Sequence, residues 1–421
     1  MRSFKYLLVG CLLSFSLQAQ EKDMLDVMIG QMLLVGLSKA EVDALVLEEV
    51  RAGKVGSIIL FEKNVPKSSS SFAALKKIIW TYQKAAPIPL MVGIDQEGGK
   101  VNRLKDKYGF TRSITAQDMG KASTLDSVKF YSEATAATLA GLGFTVNFAP
   151  VVDLAVNPEN TVIVKVGRSF GANPDSVVML AEEYIKPHRK FGVTTVLKHF
   201  PGHGSSQVDT HFGVADVTKT WSAAELIPYQ RMIADGAVDA IMTSHIVNMN
   251  LDPRGYPGTL SSRMIDSLLR KQLHYNGVVF SDDMQMQAIA RQYGLEETVK
   301  LAINAGVDVL CFSNNIQGSE DRTVNKVHSI IRALVESGQI HRERINESFD
   351  RVMKLKLGIG YTEEENLHRE LNAAQQELAT LKKAIAPKQA VKEIEKPSGT
   401  GPSAVPSEDD GKKKKKKSIK P

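Results

Sequence analysis

Eight short stretches of the chain are almost continuously apolar: Gln31–Gly36 (QMLLVG), Gly56–Phe61 (GSIILF), Pro89–Asp95 (PLMVGID), Phe144–Ala149 (FTVNFA), Val193–His199 (VTTVLKH), Ala240–His245 (AIMTSH), Gly277–Ser281 (GVVFS) and Val307–Phe312 (VDVLCF). They lack the strict apolar/polar alternation of a half-exposed strand, so they predict strands buried on both faces. Helical patterns fill the gaps, among them Asp126–Leu142, Asp175–Phe191 and Thr298–Ala305. The first two follow helix-start signals, Ser123-Thr124 and Asn173-Pro174-Asp175. Eight strands alternating with helices over about 330 residues predict an α/β fold, a single (β/α)8 barrel of the TIM type. A doubly wound open sheet uses the same alternation. The strand ends favour the barrel: Asp95, Asn147, Lys198 with His199, Ser244 with His245, and Asp282 with Asp283 follow five different strands. A barrel gathers such ends at one mouth, whereas an open sheet spreads them along an edge.

Charge refines this picture. The 421 residues carry 53 Lys and Arg against 47 Asp and Glu, a net +6. Arg2 and Lys5 charge the first 20 residues, and residues 387–421 hold ten lysines against five acids. The body between is close to neutral, so the basic pI of about 9.0 gives no case for a nucleic-acid partner. Residues 1–19 read as a secretory signal peptide: two positive charges, an apolar run from Tyr6 to Leu17, and a small residue at Ala19. The run is too short to span a bilayer. Leu8-Val9-Gly10-Cys11 offers a second reading, lipid attachment at Cys11. The expected order is then a barrel domain over 20–360, a helical extension over 361–386 and a disordered lysine-rich tail over 387–421. Lys412–Lys417 in that tail could touch an anionic envelope surface. An exported, periplasmic protein is the expectation, with oligomeric state left open. Only Cys311 remains in the body, which excludes a disulfide framework and suits buried packing.

Candidate chemistry lies at the strand ends. Asp282 closes a very apolar strand, where an unpaired carboxylate is costly, while Asp283 is placed to cap the following helix. Lys198 and His199 end another strand and lead through a Pro-Gly turn into a polar loop carrying Asp209 and His211. Two residues apart in an extended stretch, Asp209 and His211 point the same way, and a carboxylate fixes an imidazole's tautomer and raises its basicity. Such a dyad either moves protons near neutral pH or simply holds the loop. Asp95 precedes Gly98-Gly99 and Arg103, a pairing that serves either vicinal hydroxyls or a plain ion pair. His199, His203 and His211 lack metal-ligand spacing, and Gly202-His203-Gly204 lacks the ending of a phosphate loop, so neither a metal nor a cofactor is expected.

Several of these stretches together resemble glycoside hydrolase family 3. Gly93–Leu104 (GIDQEGGKVNRL), Asn147–Asp153 (NFAPVVD), Gly167–Gly171 (GRSFG), Lys198–His211 and Phe280–Met286 (FSDDMQM) are similar to its signatures, in family order between about residues 28 and 357. The Lys198–His211 loop resembles the β-N-acetylglucosaminidase branch, whose pattern is KHFPGHG followed by D-S-H, with Thr210 here in place of the Ser. The stretch Asn157–Arg168 departs from the family's usual NPxNPVIGxRSF. The resemblance implies Asp282 as nucleophile, His211 as general acid/base with Asp209 as its partner, and Asp95, Arg103, Arg168, Lys198 and His199 as sugar-binding residues. It implies an exo-acting retaining β-N-acetylglucosaminidase with a glycan substrate containing N-acetylglucosamine. A β-N-acetylglucosaminide phosphorylase, a β-glucosidase of the same family and a non-catalytic glycan-binding barrel are the alternatives.

Overall fold

The computed structural model describes residues 24–358, apart from 69, 123, 208–212, 291 and 316–323. The expected signal peptide, helical extension and lysine-rich tail lie outside the described residues, as do Cys11, Asp209 and His211.

Ten strands occur in chain order: β1 (Leu33–Gly36), β2 (Ser57–Leu60), β3 (Met91–Ile94), β4 (Val146–Asn147), β5 (Thr194–Phe200), β6 (Ala215–Asp216), β7 (Ala240–Thr243), β8 (Ile246–Val247), β9 (Val278–Asp283) and β10 (Val309–Phe312). Eight of them, β1-β2-β3-β4-β5-β7-β9-β10, pair in parallel and close when Leu33 of β1 meets Leu310 of β10. The short strands β6 and β8 form a separate two-stranded pair. All eight predicted strands are therefore present and make one closed barrel, which settles the choice against an open sheet.

Continuous apolarity has a plain cause. One side of each strand packs inside the barrel, with Leu34, Ile59, Met91, Val146, Val196, Ala240, Val278 and Val309 in one buried cluster. The alternate residues, such as Leu33, Ile58, Val92, Leu197, Ile241, Val279 and Leu310, pack outward against the helices. Both faces bury apolar surface, worth about 1.5–3 kcal/mol for each fully buried Val, Leu or Ile side chain. Val352, from the last described helix (Arg342–Leu357), joins the inner cluster and closes the bottom of the barrel.

Helix boundaries follow their caps. Helix Pro174–Lys190 starts as predicted, with Asn173 Oδ1 accepting from Ser176 N at 3.0 Å and proline in its first turn. Helix Asp126–Leu142 has the predicted bounds, but Leu125 holds its N-cap position and supplies no side-chain bond. The third predicted helix begins earlier, at Leu295, after Gly294.

Candidate active site

The mouth holds a cavity of about 250 Å³. Its walls are Asp95, Arg103, Arg168, Lys198, His199, His203 and Asp282, and its apolar lining includes Ile59, Phe61, Met242, Met286 and Cys311. Six predicted site residues thus converge from β3, β5, β9 and the loop carrying Arg168.

Lys198 is the hub. It lies near the end of β5, which runs on to Phe200, and is almost fully buried, with its Nζ 2.9 Å from Asp95 Oδ1 and 2.6 Å from Glu97 Oε1. Arg103 Nη2 reaches the other oxygen of Asp95 at 3.2 Å. Burial would raise the pKa of Asp95, but Lys198 and Arg103 outweigh it and hold that carboxyl well below its usual range. Arg168 grips Glu97 with two bonds of 2.7 Å, the fork geometry that suits a planar guanidinium. Burial works against the charge of Glu97, yet Arg168 and Lys198 bring its pKa down to about 2. Gly98 and Gly99 make the passage from Asp95 to Arg103: both have positive φ, and a Cβ on Gly98 would lie 2.2 Å from Ile114 O.

His199 is oriented from behind. Its Nδ1 lies 2.7 Å from Asp153 Oδ2, and its Nε2 lies 3.3 Å from Arg168 Nη2. The carboxylate can only accept and the guanidinium can only donate, so the proton sits on Nδ1 and Nε2 accepts. Asp153 is fully buried and its other oxygen accepts from the backbone N–H of His199 and of His203, at 3.1 and 2.8 Å.

Asp282 lies on β9, which runs through Asp283 and does not stop at Ser281 as the sequence pattern suggested. The two carboxylates divide their tasks. Asp282 lines the cavity and accepts from the N–H of Asp283 at 2.8 Å. Asp283 ties the strand end to its surroundings, accepting from Gln285 N and from the N–H and hydroxyl of Ser313. Burial raises Asp283 to about 6 in spite of those bonds.

Three other strand-end positions turn away from the cavity. Asn147 is fully buried and holds the backbone of Gln96, with Tyr184 and His188 behind it. Ser244 donates to Phe200 O, and His245 bridges Thr259 and the carbonyl of Asp283. These are scaffold. The predicted dyad Asp209 and His211 lies outside the described residues.

The sequence reading passed over Glu97, Asp153, Asn160 and Glu225. Glu97 was visible by the same logic used for Asp209 and His211: it stands two residues after Asp95. Asn160, inside the stretch that departs from the family pattern, donates to the carbonyls of His203 and Gly204 at 2.8 and 3.1 Å. Glu225 accepts from the amides of Gly204 and Ser205 at 2.9 and 3.3 Å, and burial raises it to about 7. No local pattern marks Asn160 or Glu225. Among the described residues, no group of three or more His, Cys, Asp or Glu side chains is arranged to hold a metal ion.

Comparison with known proteins fits this geometry. The profile of the glycosyl hydrolase family 3 N terminal domain matches residues 24–355. A beta-hexosaminidase of Tolumonas auensis is 34% identical over 292 residues, covering 68% of this chain and 84% of the relative. Beta-hexosaminidase A of Pseudoalteromonas piscicida is 31% identical over 320 residues, 72% of this chain but only 53% of that longer protein. Among solved structures, a family 3 beta-N-acetylglucosaminidase from a Paenibacillus species superposes with a TM-score of 0.73 at 33% identity, over 79% of this chain and 62% of that one. A beta-N-acetylhexosaminidase from Beutenbergia cavernae gives 0.71 at 27% identity, covering 79% of this chain and 98% of the other. With one domain profile spanning the whole described barrel, the chain belongs to glycosyl hydrolase family 3 and is a glycoside hydrolase.

Proposed function

We propose that the protein is an exo-acting, retaining β-N-acetylglucosaminidase that removes terminal β-linked N-acetylglucosamine from glycans such as chito-oligosaccharides or peptidoglycan fragments. One observation carries the reading. Asp282 lines the same small cavity as the Asp95–Lys198–Arg103 cluster and the Arg168–His199 pair. At about 250 Å³ this cavity falls just below the ~300–1,000 Å³ of common ligand sites, room for little more than one sugar ring. The barrel below it is filled with side chains, which suits cutting from a chain end. The names of the relatives point to the same sugar.

In this mechanism Asp282 attacks the anomeric carbon while His211, paired with Asp209, protonates the glycosidic oxygen. The C–O bond breaks, the aglycone leaves as an alcohol, and a glycosyl ester forms on Asp282. His211 then takes a proton from water, whose oxygen attacks the same carbon, and the Asp282 carboxylate is released. Asp95 accepts from sugar hydroxyls, Lys198 and Arg168 donate, and His199 lines the same cavity beside them. We place the enzyme outside the cytoplasm, in the periplasm, on the strength of the charged and apolar pattern of residues 1–19, with Lys412–Lys417 free to touch an anionic envelope.

The test is direct. Asp282→Ala should lower turnover of p-nitrophenyl β-N-acetylglucosaminide by ~10⁴-fold or more with the melting temperature held. Substantial residual turnover in that variant removes Asp282 as nucleophile. Free N-acetylglucosamine should be the product with or without phosphate in the buffer; a sugar 1-phosphate in phosphate buffer would reassign the reaction to phosphorolysis.

A further inference from the structure

His203 has no role in the mechanism above, yet it is built into the site. It is 2% exposed and lines the same cavity as Asp282. Three neighbours fix it. Asp153 accepts from its backbone N–H, Asn160 donates to its carbonyl, and Ser206 Oγ lies 2.7 Å from its Nδ1. Its Nε2 is buried and has no partner among the described residues.

The position of the proton follows from the Ser206 hydroxyl. Ser206 Oγ already accepts from Asn160 Nδ2 at 3.2 Å. Its own proton needs an acceptor, and among the described residues Nδ1 of His203 is the one at hydrogen-bonding distance. Nδ1 therefore accepts, and the ring proton lies on Nε2. His199, whose ring centroid is 5.8 Å away, has the opposite arrangement, with Nδ1–H given to Asp153 and Nε2 accepting. Burial and the neighbouring His199 push the pKa of His203 down to about 4, so the ring carries no charge at neutral pH.

We propose that His203 is a further substrate-binding residue: a neutral imidazole, locked as the Nε2–H tautomer by Ser206, that donates a hydrogen bond to an oxygen of the sugar in the cavity. The inference rests on the reading of this cavity as an N-acetylglucosamine site. A buried N–H with no partner has lost its hydration without compensation, and an acceptor brought in by the sugar restores the missing bond. His203 then offers one donor, which matches a hydroxyl or acetamido oxygen without adding charge beside Asp282.

Nitrogen-15 NMR of histidine-labelled enzyme tests this without any variant in the binding step, the two signals being assigned with His199→Gln and His203→Gln. We expect His203 to show a protonated Nε2 and a bare Nδ1 at pH 7, His199 the reverse, and both to shift when N-acetylglucosamine is added. A protonated Nδ1 on His203, or a His203 signal that stays put while His199 shifts, overturns the inference and leaves the sugar site standing. If N-acetylglucosamine moves neither signal, the reading of the cavity itself has failed. Kinetics supply the second arm. Ser206→Ala, which leaves the imidazole in place, should raise KM several-fold with His203 distributed over both tautomers. His203→Ala should lower kcat/KM by roughly tenfold or more, and His203→Gln, whose amide can donate from a similar place, should recover part of it. Unchanged kinetics in both Ser206→Ala and His203→Ala would also overturn the inference.

Discussion

Asp308, just before β10 at the bottom of the barrel, is fully buried and accepts from Arg270 at 2.6 Å, Arg344 at 2.8 Å, Arg351 at 3.3 Å, Ser348 at 2.9 Å and the N–H of Val279 at 2.9 Å. At the mouth, Lys198 stands between Asp95 and Glu97, with Arg103 on the other oxygen of Asp95 and Arg168 on both oxygens of Glu97. Both clusters bury charges of both signs, one carboxylate among three arginines at the bottom and two carboxylates among three cations at the mouth. The bottom cluster spends most of its other donors within the fold: Arg270 reaches the carbonyls of Tyr275 and Gly306, and Arg344 those of Ile303 and Val307 and the carboxylate of Glu347. The mouth cluster borders a cavity and leaves capacity over, since Arg103 Nε and His203 Nε2 are buried without partners among the described residues. Buried charge alone is therefore no mark of a site. Unspent hydrogen bonding beside a cavity is.

The comparison breaks most sharply at Lys198. Lys198→Met leaves Asp95 and Glu97 buried with one cation each, and truncating one partner of a buried charge pair costs ~2–5 kcal/mol. We expect kcat/KM to fall by roughly 10²–10³-fold at about 1.4 kcal/mol per decade, along with a lower melting temperature. Asp308→Ala should act on stability alone. Three arginines lose their carboxylate, which costs ~3–5 kcal/mol and lowers Tm by roughly 2–4 °C per kcal/mol. The folded enzyme should keep its kcat and KM at 25 °C. A kinetic defect in Asp308→Ala as large as in Lys198→Met would mean that the two clusters are coupled and that the distinction is wrong. Arg103→Gln sharpens the mouth further. Asp95 keeps Lys198, so the loss should be about tenfold, and it should appear in KM because Arg103 holds Asp95, which the proposed mechanism assigns to the sugar hydroxyls.

The same contrast explains what was legible in the sequence. The barrel was readable because burial on both faces writes itself into consecutive residues, as in Ser57-Ile58-Ile59-Leu60, all buried. Strand ends drifted by up to two residues because the apolar run follows burial, while the ladder follows pairing. Asp95, Lys198, His199 and Asp282 stood out as polar residues ending apolar runs. Asn147, Ser244 and His245 look identical by that criterion and turned out to be scaffold. Sequence position says where a side chain starts, and only packing says which way it faces. Asp153 escaped notice because its partner, His199, is 46 residues away, a distance that no local pattern spans. The Arg–Asp308 cluster was invisible for the same reason.

The smallest expected effect isolates a single charge at the bottom. Lys356, on the helix that closes the barrel, is 3% exposed, and its Nζ donates to Gln31 Oε1 at 2.6 Å and Gly56 O at 2.7 Å. Both acceptors are neutral, so nothing offsets the cost of burying an ammonium, and burial pushes its pKa from an ordinary 10.5 down to about 7. Between those two values the unfolded chain binds a proton that the folded one does not. Stability must then rise with pH across that window, with a limiting slope of about 1.4 kcal/mol per unit. Below pH 7 both states are protonated and this contribution is flat. The comparison to make is thermal unfolding of wild type and Lys356→Met at pH 7, 8 and 9, reading the difference in slope, since losing two hydrogen bonds shifts the variant's absolute Tm. Wild type should gain on the variant at each step while their kcat values at 25 °C stay equal. Parallel curves would show that Lys356 keeps its proton in the folded state, and that the bottom of the barrel, like the mouth, shelters a charge its neighbours stabilise.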